Sequence, residues 1–143
     1  MGSPMNWRSQ VDEQKGVGRK MDMKLELVLL PVSDVDRAKA FYVERVGFKV
    51  DHDVTPSNTM RVVQLTPPGS ACSIVIGTGI SDMQPGSVKG LHLVVADIHK
   101  ARETLAGQGV DVGAVDDLGG IMYVSFSDPD GNAWLLQEIP ATA

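Results

Sequence analysis

The sequence contains a single cysteine, Cys72, among 143 residues. No intramolecular disulfide can form, and a zinc site of several thiolates is excluded, because each needs at least a second sulfur. No apolar run approaches the ~20 residues that span a bilayer as a helix, and the N-terminal stretch lacks the apolar segment of a secretory signal. A cytoplasmic protein is the default expectation. Positive charge is also in deficit, with 13 Lys and Arg against 18 Asp and Glu, a formal net charge of -5 and a pI near 5.0. That balance argues against nucleic acid or an anionic membrane as partner, since both select basic surfaces. Familiar nucleotide and hydrolase motifs are missing as well. Gly77-Thr78-Gly79 has neither a third glycine nor a following helix, and there is no phosphate-loop sequence and no GxSxG elbow. Phosphate-cofactor and acyl-enzyme chemistries are thereby set aside, and no cofactor is expected.

What is present is ordinary in composition and duplicated in plan. At 43% hydrophobic and 22% charged, the chain has the make-up of a globular protein, and its length suits one domain with a real core rather than two. The stretch Asp128-Pro129-Asp130-Gly131-Asn132-Ala133-Trp134-Leu135-Leu136-Gln137-Glu138 matches Thr66-Pro67-Pro68-Gly69-Ser70-Ala71-Cys72-Ser73-Ile74-Val75-Ile76 without a gap. Each has proline second and glycine fourth, as a β-turn favours, and an apolar strand behind it. Asp34-Val35 and Asp97-Ile98 open two helical patterns in the same way, so the repeat covers most of Leu25 to Ile139.

Residues 1–22, polar and without apolar period, read as a flexible leader in which Gly2-Ser3-Pro4 has the form of an expression scar. One domain follows over 23–140, with module one at about 24–77, a linker at about 77–89 and module two at about 90–139. In module one, Leu25–Val32 is a strand. Ser33 or Asp34 caps a helix that runs to Gly47, and strands Phe48–Val54, Met60–Leu65 and Ala71–Ile76 follow, with a turn at Pro56-Ser57-Asn58. In module two, Leu91–Val95, a helix from Asp97 to the glycines at 107 and 109, and strands Val110–Val115, Met122–Phe126 and Ala133–Ile139 repeat the order. The fold class is α+β: two tandem βαβββ modules, each with one sheet face under its own helix and the opposite faces curved around a shared cleft.

Val32-Ser33-Asp34-Val35-Asp36-Arg37-Ala38-Lys39-Ala40-Phe41-Tyr42 with Gly47-Phe48, and the turn Asp128-Pro129-Asp130-Gly131-Asn132, resemble the signatures of the vicinal oxygen chelate superfamily. That superfamily includes glyoxalase I, extradiol dioxygenases, fosfomycin-resistance enzymes and bleomycin-resistance proteins. The resemblance implies the fold; because the fold hosts many chemistries, function rests on the site. In metal-dependent members histidine and glutamate ligands come from the first and last strands of each module. Carried over, those positions are Leu27, Ser73, Gly90 and Leu135, none of which supplies an imidazole or a carboxylate. A one-residue slip would turn Glu26 and Glu138 inward but send His92 outward, so no single shift gathers a ligand set. No metal site is expected.

Alternation from the same positions predicts a cleft lined by Leu27, Leu29, Ser73, Val75, His92, Val94, Tyr123, Ser125, Leu135 and Gln137. The repeat sets Arg61 opposite Tyr123, which adds it as a candidate for a ligand carboxylate or phosphate, with Gln64 its competitor if the strand is bulged. His92, whose imidazole can serve as general base, general acid or hydrogen-bond donor, and Tyr123, a hydrogen-bond donor, are the candidate catalytic pair. His52 falls on the opposite face from Asp51 and Asp53, His99 sits at an exposed helix start, and Trp134 and Cys72 are assigned to the core. The leading expectation is a metal-independent protein holding an apolar or aromatic organic molecule, as drug-sequestering members do. The alternatives are a lyase, isomerase, epimerase or cyclase using His92 and Tyr123, and behind it a metal-dependent glyoxalase- or dioxygenase-like enzyme. Open strand edges suggest a homodimer.

Overall fold

Two helices begin in nearly the same way. Asp34 (φ -137°, ψ 106°) and Asp97 (φ -140°, ψ 108°) both sit in extended backbone, and each carboxylate accepts from the amide three residues on, Arg37 or Lys100, at 3.0 Å. These are the N-caps expected from the sequence. In this computed structural model, which describes residues 20–139, the repeat reaches down to backbone angles. Most of the expected leader lies outside the described residues. Strand β1 (Leu27–Leu29) leads to helix α1 (Val35–Ala40), which widens into a π-helical run, Phe41–Val46, and stops at Gly47. Strands β2 (Lys49–Ser57), β3 (Met60–Thr66) and β4 (Ser73–Thr78) complete module one. Module two comprises β5 (Leu91–Val94), α2 (Ile98–Gly107), β6 (Asp116–Leu118), β7 (Ile121–Ser127) and β8 (Ala133–Glu138).

Each module forms its own four-stranded mixed sheet, in the orders β1-β4-β3-β2 and β5-β8-β7-β6. The first strand of each runs parallel to the last, and the remaining pairs are antiparallel. No helix among the described residues is long and apolar enough to cross a membrane.

Three local expectations are corrected. The β2–β3 turn is Asn58-Thr59, with Pro56 inside β2, where an edge strand tolerates the missing N–H. The strand expected at Val110–Val115 is instead a core-covering segment: Val110 is buried, Val112 and Val115 pack against the core, and one bond, Gly113 N to Ser125 O (2.9 Å), ties it to β7. A Cβ at Gly113 would stand 2.6 Å from Ser125 Oγ, so any other residue here would turn the serine hydroxyl aside. The strand pairing with β7 lies further on at Asp116–Leu118, because Gly119 and Gly120 both take positive φ (69° and 91°) and close a two-residue hairpin. In β2, a register shift between Val50 and His52 sets His52 opposite Gln64 while Asp51 reaches Thr66. The aspartates therefore part company, since Asp53 lies opposite Val63 on the other face.

The helix-bearing faces of both sheets share one core. Val63, Leu65, Ile74 and Ile76 from the first sheet and Val124, Phe126, Trp134 and Leu136 from the second pack with Tyr42 and Ile98 into a single cluster. The π-helical run carries module one onto module two: Phe41 lies 6.3 Å from Phe126 and Tyr42 lies 5.8 Å from Trp134, centroid to centroid. A buried polar knot fixes the junction. Tyr42 OH donates to Asp128 Oδ2 (2.8 Å) and accepts from Trp134 Nε1 (2.9 Å), and Asn132 Nδ2 donates to Pro31 O (2.9 Å). Burial, and next the Asp128 charge, push the Tyr42 phenol far above its ordinary value, so it stays neutral and donating. At the rim, Ser33 Oγ donates to Asp130 Oδ1 (2.6 Å), and Arg45 Nη1 donates to Gly109 O (3.2 Å).

Arg61 belongs to this helix side and not to the cleft face. It has the parity of Val63 and Leu65, and its guanidinium bonds Asp53 (2.9 and 3.1 Å) and Asp36 of α1 (2.7 Å). Hydrogen bonds from Arg61, then from Lys39, hold the Asp53 carboxyl well below the usual carboxylate range. A depressed folded-state value means that the contribution is complete above the unfolded value near ~4 and is lost as pH falls toward the folded one. These groups are near solvent, so Arg61→Ala should cost under ~1 kcal/mol at pH 7. Urea titrations of parent and variant should converge as pH drops from 7 to below 3. A constant gap over that range would refute the assignment.

Candidate functional site

With the helix faces locked together, the two other sheet faces point away from each other. Val94 on β5 is 68% exposed and Leu118 on β6 is 66% exposed, levels at which an apolar side chain has nothing over it within the chain. The expected cleft lining is therefore divided between opposite sides of the molecule. Leu27, Leu29, Ser73 and Val75 share the outer face of module one; His92, Val94, Tyr123, Ser125, Leu135 and Gln137 share that of module two. No hydrogen bond joins the two groups among the described residues.

The module-two face holds an ordered set. Register places His92, Leu135 and Ser125 in one row across β5, β8 and β7, and Val94, Gln137 and Tyr123 in the next. His92 Nδ1 is bonded to Gln137 Oε1, and its ring stands edge-on to Tyr123 with centroids 6.0 Å apart and planes at 82°. An amide oxygen only accepts, so neutral His92 carries its proton on Nδ1 and leaves the Nε2 lone pair free. At the Leu135–Ser125 end of this face, beside rather than over His92 and Tyr123, opens a pocket of about 650 Å³ lined by Gly90, Val112, Gly113, Ser125 and Leu135 and reaching Asp111 and Asp128. The volume is that of a small-molecule site.

The module-one face is more polar than its sequence suggested. Ser73, only 6% exposed, meets Thr66 Oγ1 at 2.6 Å and accepts from Gln64 Nε2 at 3.2 Å, and Thr66 in turn donates to Asp51. Gln64, weighed only as a competitor of Arg61, and Thr66 were left out of the expected lining for one reason, and Asp51 for another, the bulge in β2. Gln64 pairs with Val75, whereas Ser125 pairs with Leu135, so the β3–β4 connection is one residue longer than its β7–β8 counterpart. An ungapped repeat carried across that turn slips β3 by one residue and exchanges its faces, which put the face of Arg61 where the face of Gln64 belongs. Unequal turn lengths were the signal that could have revealed it.

By the same registers Leu135 corresponds to Val75, and His92 corresponds to Leu29. Across either set of positions His92 is the sole imidazole, with no carboxylate, and among the described residues no three of His, Cys, Asp and Glu converge. A divalent ion needs three or four such donors, so the residues present do not fit the metal of metal-dependent relatives. Glu138, one candidate for such a role, is turned to the helix side, where it accepts from Ile98 N at 2.7 Å.

The tandem modules and their two turn signatures set up a comparison with known proteins. The family model of the Glyoxalase/Bleomycin resistance protein/Dioxygenase superfamily matches residues 24–136. The chain belongs to this superfamily. Among solved structures, TnmS3, an antibiotic-binding protein from Streptomyces sp. CB03234, is 34% identical with a TM-score of 0.77, over 85% of this chain and 100% of that one. A glyoxalase/bleomycin resistance protein from the same organism is 37% identical with a TM-score of 0.69, over 79% and 98% of the two chains. The uncharacterized protein YetH from Bacillus subtilis (strain 168) is 30% identical over 124 residues, which cover 82% of this chain and 100% of YetH.

Proposed function

We propose that this superfamily member is a metal-independent binding protein for an apolar or aromatic organic molecule, held between the module-one face of one copy and the module-two face of another. The observation that carries this reading is the module-two face. It carries His92, Tyr123, Ser125, Leu135 and Gln137 on one side of the sheet, with a pocket of about 650 Å³ opening at Leu135 and Ser125, and among the described residues no group of three metal-ligating side chains. Similarity to an antibiotic-binding protein supports the same ligand class. The back-to-back packing supports a second copy: the expected lining lies on two opposite outer faces, and apolar residues such as Val94 and Leu118 are exposed there.

The free Nε2 of His92 beside Tyr123 favours a second reading, in which the same cleft transfers a proton in a lyase- or isomerase-type step. One set of measurements separates the two. Light scattering should give twice the 15.3 kDa chain mass, and aromatic ligands should bind chelator-treated protein as well as untreated. His92→Ala should weaken binding about two- to twelvefold if the imidazole makes one hydrogen bond. A rate loss of ~100-fold with affinity kept would instead establish the enzyme. A monomer, or binding that requires added metal, would overturn the proposal.

A further inference from the structure

The hydrogens of the module-one cluster can be assigned from chemistry. Asp51 accepts only, so the Thr66 hydroxyl spends its hydrogen there. Between Ser73 Oγ and Thr66 Oγ1, 2.6 Å apart, the donor must then be Ser73. Ser73, its hydrogen used, accepts from Gln64 Nε2 at 3.2 Å, and the same amide nitrogen reaches Glu26 Oε2 at 3.4 Å. Every donor in the chain points toward a carboxylate. The Gln64 amide is thus locked in one orientation, and its Oε1 is left with no hydrogen bond among the described residues. Donation by the nitrogen also strengthens that oxygen as an acceptor.

We infer that Gln64 Oε1 is a specificity-determining acceptor on the module-one wall, selecting aromatic ligands that carry a neutral hydroxyl, phenolic or alcoholic, at that end. The Asp51 and Glu26 carboxylates already hold donors from this chain, so what is offered to the ligand is a neutral amide oxygen, which a neutral hydroxyl suits. The inference rests on the cleft reading above, and adds to it which end of the ligand must be a donor. His92, with its free lone pair on the other wall, is the competing acceptor and is best removed from the test.

The probes are 2-naphthol and 2-methoxynaphthalene, which share the ring and oxygen but differ in the donor hydrogen. In His92→Ala protein, calorimetry should show 2-naphthol binding about three- to tenfold tighter, the effect of one net hydrogen bond. Adding Gln64→Leu should abolish that preference while the methoxy compound still binds. Adding Thr66→Val instead keeps Gln64 but cuts the chain from Asp51, freeing the amide to turn, and should also remove most of the preference; this variant carries the test if the leucine protein does not fold. No preference in the His92→Ala background, or a preference that survives both additions, overturns the inference and leaves the cleft reading standing. Failure of parent protein to bind either probe overturns both.

Discussion

Asp128→Ala should lose about 3–5 kcal/mol of folding stability, the largest effect expected from any single side chain. The carboxylate is 5% exposed and accepts four bonds: from Tyr42 OH (2.8 Å), Asn132 Nδ2 (2.8 Å) and the amides of Asp130 and Asn132 (2.9 Å each). Alanine strands all four donors, and Tyr42 and Asn132 are fully buried, so water cannot replace the lost acceptor. The individual penalties are not additive, which is why the total is set well below their sum. Because Tyr42 belongs to module one and Asp128 to module two, the loss falls on the junction that holds the modules back to back. Thermal melting should drop by ~10 °C. Asp128→Asn keeps the shape and the two amide bonds but turns an N–H toward donors, and should cost roughly half as much. A change below ~1 kcal/mol for alanine would mean that the knot is not what joins the modules.

Leu135→Asp should reduce affinity for 2-naphthol by ~100-fold or more with the fold intact. Leu135 lies in register between His92 and Ser125 and lines the module-two pocket. The ligand would lose an apolar contact worth ~1.5–3 kcal/mol and would have to strip water from a carboxylate, at a further few kcal/mol. Together these exceed the ~2.7 kcal/mol that corresponds to 100-fold. The side chain is only half-buried, so stability should change little. The same charge at His99, on the exposed start of α2, is the control and should leave binding as it is. Parent-like affinity in Leu135→Asp would show that the ligand uses another face.

Much of the fold could be read in the residues because local chemistry repeats. Proline and glycine at matching turn positions and aspartate before each helix imposed the same geometry twice. The face of His92, Tyr123, Ser125, Leu135 and Gln137 followed from strict alternation over strands without bulges. What failed did so where alternation is interrupted. The bulge in β2 parted Asp51 from Asp53, and one extra residue between β3 and β4 hid Gln64 behind Arg61. The valines at 110, 112 and 115 looked like a strand because a loop that covers a core needs apolar residues too.

By itself, then, the sequence determined the modules, their element order and which residues share a sheet face, because period and turn chemistry act over a few residues. Only the tertiary structure decided that the two helix-bearing faces close on each other through Phe41, Tyr42, Phe126 and Trp134, which sends the two halves of the expected lining to opposite sides. Either way of joining the modules buries the same apolar stripe beneath its own helix. The choice between them depends on contacts between residues about 90 apart, such as Tyr42 with Trp134 and Asp128, which no local pattern records.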